Sequence, residues 1–384
     1  MSREGITDPR TCPKPPLCRL TGAKWSSFRT MRATPPRGLS RHCRTTARYN
    51  EDHLVAQVAH TTLTVLDRMT ELKVLVVGDL MLDVYLWGHA SRISPEAPVM
   101  VVEVERETSV PGGAANVVHN LAALGARVRV LGVIGDDAPG EQLRNALREQ
   151  GADTEGLVVD AGRPTTVKSR VMSHHRQVMR IDRENKQPIS PAAEAEICQQ
   201  IEAFGPQHDV ILISDYAKGL VTPRIARTAT AQREQGCFVA VNAKPGQVHA
   251  FAGADLVTLN QIEAEQVAGT ARLAMEPDIR KHGAELRSML DVRTLVITQG
   301  GRGMSAFSHD QDPLVVPAVP VEVYDVAGAG DTTISTLTMA LRAGADLKTA
   351  SQLAMRAASI VVGKLGVATA TLDELRDNYL RVQP

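Results

Sequence analysis

The sequence predicts an α/β protein: a mostly parallel central sheet with helices on both faces and a small separate β-sheet beside it. Three observations carry that expectation. Short apolar runs of strand length recur along the chain, each leaving through polar residues into a helix-like segment, as parallel strands joined by crossover helices do. Near the C-terminal end, Asp325-Val-Ala-Gly-Ala-Gly-Asp331 sits where an apolar run (Val315 to Val323) hands over to a helical pattern (Thr332 to Arg342). Residues 164–184 mix apolar and basic residues unlike the runs around them, which predicts strands outside the main sheet.

The 384 residues are 43% apolar, enough for a sizeable core, and their formal net charge is zero. A neutral chain offers no global field to nucleic acid or a membrane surface. An aromatic content of 3% argues against a base-stacking platform. No run approaches the roughly 18 apolar residues of a membrane span. The five cysteines form no CxxC pair, so neither a zinc site nor a disulfide framework is indicated, and a reducing cytoplasm fits. Residues 1–50 are rich in arginine and proline, carry only Glu4 and Asp8 as acids and lack hydrophobic periodicity. They are expected to be a disordered basic extension; a plain tail, a targeting peptide or a basic arm all remain open. Residues 51–384 are expected to form the folded domain.

Residues 53–70 space apolar side chains as a leading helix does. Lys73–Val77 reads as a buried parallel strand and runs into Gly78-Asp-Leu-Met-Leu-Asp83. Ligands of open α/β sheets bind outside the C-terminal strand ends. Asp79 and Asp83 are therefore candidate acceptors for sugar hydroxyls, with a turn residue and a helix cap as the alternative. Val99–Glu107 alternates in part, like a strand with one wet face. Pro111-Gly-Gly-Ala-Ala-Asn116 then enters an amphipathic helix, so Gly112, Gly113 and Asn116 suit close backbone approach to a polar ligand. Val128–Ile134 is a second core strand and Gly140–Gln150 a helix. Thr165–Met172 and Gln177–Arg183 read as two strands around a His174-His175-Arg176 turn. Together with residues 97–110 they are expected to make the small sheet. Lys168, Arg170, Arg176, Arg180 and Arg183 make it basic, as a site for a phosphorylated substrate would be; solvated strand faces are the alternative.

In the second half, strands are expected at Asp209–Asp215, Phe238–Asn242, Leu256–Leu259 and Thr294–Thr298. Parallel strands end on one side, so Asp79, Asp215, Asn242, Asn260, Thr298 and Asp331 should converge although they are far apart in sequence. Asn260 and Glu263 stand three apart at a helix start. They can hold Mg²⁺ through its water shell or form a capping box. Gly300, Gly301 and Gly303 give a loop able to lie against a nucleotide. In the late motif, Gly328 and Gly330 allow close approach, and the following helix offers free N–H groups and a positive dipole end. Asp331 stands at that mouth, placed to take a proton from a hydroxyl attacking phosphorus; an Asp cap on a glycine-rich turn is the alternative. Ala350–Val362 and Thr371–Leu380 read as closing helices.

With these residues in hand, the chain resembles the ribokinase-like, PfkB-type carbohydrate kinases. Gly112-Gly-Ala-Ala-Asn116, Asp325-Val-Ala-Gly-Ala-Gly-Asp331 and Asn260-x-x-Glu263 match that family's motif regions, in order, over about residues 70–380. The resemblance implies a ribokinase-like three-layer sandwich whose small sheet is a lid. It implies ATP and Mg²⁺ as cofactors and leaves a K⁺ requirement open. Asp331 would be the base, with the Gly328, Ala329 and Gly330 amides stabilising the transferring phosphoryl group. Asp79, Asp83, Arg92, Gly112, Gly113, Asn116, Lys168, Arg170, Arg180, Asp215 and Lys218 would bind substrate. Asn242, Lys244, Asn260, Glu263, Thr298, Gly300, Gly301 and Gly303 would serve the nucleotide.

Within the family, Gly78–Asp83, Ser91–Pro98, Ser214–Gly219 and Val361–Gly366 look like the heptose-phosphate kinases of lipopolysaccharide core synthesis. This implies phosphorylation of D-glycero-D-manno-heptose 7-phosphate at its anomeric hydroxyl, for ADP-heptose. A kinase for another sugar, sugar phosphate or nucleoside is the alternative, and a non-catalytic binding member a third. The likeness also implies a homodimer formed through the lid. Three departures stand out. Ala327 replaces the family's usual Thr, Asn242-Ala-Lys244 replaces Asp-Pro-Lys, and no HxGH motif occurs. Adenylylation is therefore expected of another chain.

Overall fold

The computed structural model describes residues 61–173, 176–270, 273 and 278–381. The basic extension, the start of the leading helix and the His174-His175 turn lie outside the described residues.

Nine strands make the central sheet: β1 (Lys73–Gly78), β4 (Arg127–Ile134), β5 (Leu157–Val159), β8 (Val210–Ser214), β9 (Phe238–Asn242), β10 (Leu256–Asn260), β11 (Thr294–Thr298), β12 (Met304–Ser308) and β13 (Leu314–Val316). Their order is β13-β12-β11-β10-β9-β8-β1-β4-β5. All neighbours pair in parallel except β11 with β12 and β12 with β13. The alternation within β1 shows why the strands are apolar on both sides. Val74 and Val76 enter the core shared with α2 (Ala114–Ala123), α3 (Ala138–Glu149), α8 (Ala329–Arg342) and α9 (Leu347–Val362). Leu75 and Val77 enter the core shared with α4 (Pro191–Phe204), α5 (Pro223–Ala231), α6 (Gln261–Ala268) and α7 (Asp278–Leu290). Helix, sheet and helix thus form three layers. The leading helix α1 (residues 61–69) and the last, α10 (Leu372–Arg381), cover the first core.

The register aligns the strand exits. Gly78 lies opposite Ser214, Ser214 opposite Asn242, Asn242 opposite Thr258, and Asn260 opposite Thr298.

The second sheet contains β2 (Leu80–Ile93), β3 (Met100–Gly113), β6 (Thr166–Ser173) and β7 (Arg176–Arg183), in the order β3-β2-β6-β7. Two local expectations are corrected. Residues 80–83 are not a polar exit turn: Asp79 alone separates β1 from β2, because Leu80, Leu82 and Val84 alternate into the core. Gly112 and Gly113 end β3 at the mouth of α2, the helix they were expected to enter. The strand expected over 315–323 stops at Val316, where Pro317 and then Pro320 deny the ladder its donors. β5 and β12 were not anticipated.

Candidate active site

The two glycine motifs meet. Helix α8 starts from Gly328, whose φ of 81° is left-handed. A Cβ there would stand 2.9 Å from Asn116 Nδ2, so glycine is required on both counts. Asp331 falls in the first turn of α8 and is 5% exposed. Its Oδ2 accepts from Asn116 Nδ2 at 2.7 Å, and its Oδ1 accepts from the Tyr216 hydroxyl at 2.6 Å. Asn116 itself sits in the first turn of α2, directly after Gly113. Asn120 ties the helices together further along: it donates to the Asn116 carbonyl at 2.8 Å and accepts from the Thr332 hydroxyl at 2.7 Å. Burial pushes the Asp331 carboxyl up to about 6, against the Tyr216 and Asn116 donors and the Lys244 charge, with Asp83 adding to the rise.

Of the first-turn amides of α8, that of Ala329 donates to the Val326 carbonyl at 3.3 Å. Gly330 and Asp331 carry the N–H groups best placed for an anion. A Cβ on Gly330 would meet nothing within 4 Å, so its space is open to a ligand.

Tyr216 belongs to the loop after β8, which two buried carboxylates hold. Asp79 Oδ2 accepts from the Tyr216 and Lys218 amides at 2.8 and 3.0 Å, and Oδ1 from the Leu220 amide at 3.1 Å. Asp215 accepts from the Ala217 amide at 2.8 Å and the Lys244 amide at 3.3 Å. Ala217 adopts a φ of 54°, which the two clamps sustain. Burial raises both carboxyls against these amide bonds; Asp215 reaches about 6, with the Asp79 charge contributing. The structure uses Asp79 and Asp215 as struts for the loop, each of their oxygens already accepting a backbone N–H.

Asn242, Lys244, Asn260, Glu263 and Thr298 line one cleft with Tyr216, Gly328, Gly330 and Asp331. The capping box is formed: Asn260 Oδ1 accepts from the Glu263 amide at 2.9 Å, and Glu263 Oε2 from the Asn260 amide at 2.8 Å. Glu263 Oε1 is also paired with Lys244 Nζ, and Lys244 Nζ lies 5.5 Å from the centre of the Tyr216 ring. A cation bound here would meet Glu263 already bonded, which suits a hydrated Mg²⁺ held through its waters. Among the described residues no cluster of three His, Cys, Asp or Glu offers a direct metal cage. Gly300, Gly301 and Gly303 do not line this cleft. Gly303 is needed for packing, since a Cβ would lie 2.0 Å from the Val316 carbonyl; at Gly300 and Gly301 it would meet nothing.

On the lid side, Asp83 Oδ1 pairs with Arg170 Nη1 at 2.6 Å. Gly112 lets that carboxylate approach, because a Cβ would stand 2.4 Å from Asp83 Oδ2. A Cβ on Gly113 would strike the Asp79 carbonyl at 2.5 Å. Of the bases expected at the phosphate, Lys168, Arg170 and Arg180 have acidic neighbours, as does Lys218 beside them. Lys168 lies 3.7 Å from Asp182 and 3.9 Å from Glu184, Lys218 lies 2.7 Å from Glu184, and Arg180 lies 2.9 Å from Asp182. Arg92 is not brought to this place. It lies near the far end of β2, 3.8 Å from Glu103, nine residues along the strand from Asp83, which at about 3.3 Å per residue allows a separation of up to roughly 30 Å. A wider hollow lined by Lys73, Arg127 and His208 opens at the opposite, N-terminal edge of the sheet and holds none of the expected residues. Tyr216 and Glu184 were not singled out from sequence, although Tyr216 lies in the Ser214–Gly219 segment that looks like heptose-phosphate kinases and Glu184 in the basic segment.

The pattern of the pfkB family carbohydrate kinases matches residues 71–374. The chain is similar to the bifunctional protein HldE of Citrifermentans bemidjiense, 45% identical over 310 residues, covering 80% of this chain and 63% of that one. It is also similar to HldE of Desulfatibacillum aliphaticivorans, 45% identical over 305 residues, covering 79% and 62%. The chain therefore spans less than two thirds of the length of these curated relatives. Among solved structures it resembles Arabidopsis thaliana ribokinase complexed with ribose and ATP, with a TM-score of 0.64, 17% identity and 80% and 98% coverage. It also resembles Escherichia coli phosphofructokinase-2 in complex with potassium, with a TM-score of 0.66, 18% identity and 81% and 99% coverage. At such identities the likeness establishes the fold, which is ribokinase-like.

Proposed function

The chain belongs to the pfkB family of carbohydrate kinases, and from that premise we propose that it phosphorylates D-glycero-D-manno-heptose 7-phosphate at the anomeric hydroxyl, giving the 1,7-bisphosphate. The observation that carries the chemistry is the buried Asp331 carboxylate, held by two donors beside the open first turn of α8. In this reading the sugar oxygen attacks the γ-phosphorus of ATP, the bond to ADP breaks, and the hydroxyl proton passes to Asp331. The Gly330 and Asp331 amides steady the charge on the phosphoryl oxygens. Asn260 and Glu263 would hold Mg²⁺, which would supply charge neutralisation on the phosphates.

The heptose assignment rests on the four segments that look like heptose-phosphate kinases and on the HldE relatives. The relatives' name declares two functions over a longer chain. The kinase function is assigned to the matched part, and adenylylation to a separate domain or chain. Lys168, Arg170 and Arg180 would receive the 7-phosphate. A second reading, a kinase for another sugar phosphate, draws on Ala327 and Asn242-Ala-Lys244. Among the described residues no helix is long and apolar enough to cross a membrane, and a cytoplasmic enzyme, paired through its lid, fits the rest.

ADP release from ATP, Mg²⁺ and purified protein tests the proposal. Turnover is expected with heptose 7-phosphate and not with the unphosphorylated heptose. Asp331→Asn should lower kcat by about 10²–10⁴-fold. Full activity on a different sugar phosphate alone would transfer the assignment to the second reading.

A further inference from the structure

Tyr216 is a part-buried polar side chain lining the cleft, to which the kinase chemistry above gives no task. Its hydroxyl donates to Asp331 Oδ1 at 2.6 Å while Asn116 donates to Oδ2 at 2.7 Å. Donors on both oxygens fix a carboxylate plane whose last torsion is otherwise soft. The tyrosine is itself firmly placed. Its amide and that of Lys218 bond Asp79, and the next residue, Ala217, bonds Asp215. Its ring lies under Lys244, which pairs with Glu263 at the cap of α6. A line of contacts thus runs from that cap to the base.

We propose that Tyr216 is a positioning residue for the phosphoryl transfer, its hydroxyl holding the Asp331 carboxylate so that the remaining lone pair of Oδ1 faces the incoming sugar hydroxyl. The inference rests on Asp331 being the base. The same hydrogen bond favours the charged carboxylate, the form able to accept a proton. The groups facing Asp331 come from several elements: Tyr216 from the β8 loop, Asn116 from α2, Lys244 from the β9 exit and Asp83 from β2. Burial and Asp83 favour the neutral acid, and the two donors and Lys244 oppose them. Loss of one donor therefore tilts the balance toward the neutral acid. Tyr216 stays protonated, because burial, and then the charges of Asp331, Asp83 and Glu263, hold its phenol well above the usual range. It acts as a donor and not as a second base.

Two variants test this in the full chain, with ATP, Mg²⁺ and heptose 7-phosphate. Tyr216→Phe keeps the ring under Lys244 and removes the donor. Its kcat at pH 7 should fall by about tenfold with KM nearly unchanged, and the acidic limb of its kcat/KM profile should move up by about one pH unit, the equivalent of about 1.4 kcal/mol. Replacing Tyr216 with 2,3-difluorotyrosine, a stronger donor of nearly the same shape, should move the limb down. This second variant decides the matter if the phenylalanine protein unfolds. Profiles that superimpose on the parent, with Asp331→Asn inactive, overturn the role of Tyr216 alone. Undiminished turnover by Asp331→Asn overturns the base assignment and the inference together.

Discussion

Asp331 stores a conflict between stability and chemistry. In an unfolded chain its carboxyl would titrate in the ordinary range, whereas burial holds it near 6 in the fold. Between those values the folded chain binds a proton that the unfolded chain has released. Stability therefore declines as pH rises through that window and stays lower above it. Asp331→Asn removes the titration, and an asparagine can accept from Asn116 and donate to the Tyr216 oxygen. The variant is expected to be more stable than the parent by about 1–3 kcal/mol at pH 8, with the gain shrinking at pH 5. Urea unfolding at the two pH values measures this; an equal difference at both would contradict it. Sequence named Asp331 because a glycine motif surrounds it. It placed Tyr216 in the Ser214–Gly219 segment but gave it no role, because nothing local shows which group its hydroxyl will meet.

At the level of elements, two helix starts shape the cleft in different ways. Gly328→Ala must adopt a φ of 81° and press a Cβ to 2.9 Å from Asn116 Nδ2. A loss of about 1–2 kcal/mol is expected, together with lower activity as Asn116 is displaced from Asp331. Gly330→Ala, facing open space, should fold normally and impair only turnover. Thermal unfolding and ADP release on the pair separate the two effects. At α6, Asn260→Ala loses the cap bond to the Glu263 amide and should cost about 1 kcal/mol. The sequence left capping box and metal element open, and the fold forms the box. It misread β2 because Asp79 and Asp83 mimic a polar exit. Met81 and Asp83 line one face of a strand whose other face, Leu80, Leu82 and Val84, is core.

At the scale of the whole molecule, the long β2–β3 ribbon belongs to the small sheet, whose edge strand β7 is exposed along its length. Along β7, Arg180 and Asp182 share one face and the exposed Met179 and Ile181 the other. With Ile93, Met100 and Val104 also exposed on the ribbon, a second copy of the chain is the proposed cover. Met179→Asp combined with Ile181→Asp should convert a dimer to a monomer in sedimentation, while heat stability of the protomer holds. An unchanged sedimentation coefficient would remove the lid from the interface.

By itself the sequence determined the layers and the edge at which the motifs gather. Apolar runs must be buried on both faces, and parallel strands release their polar exits on one side. The strand order and the partner of each polar group were decided only in three dimensions. Asp79 and Asp215 became loop struts, and Asn116 and Tyr216 became the holders of Asp331, because a buried donor or acceptor must find its mate wherever the packing brings one. Those mates lie 137, 215 and 115 positions away for Asp79–Tyr216, Asn116–Asp331 and Tyr216–Asp331, and no local pattern reaches so far.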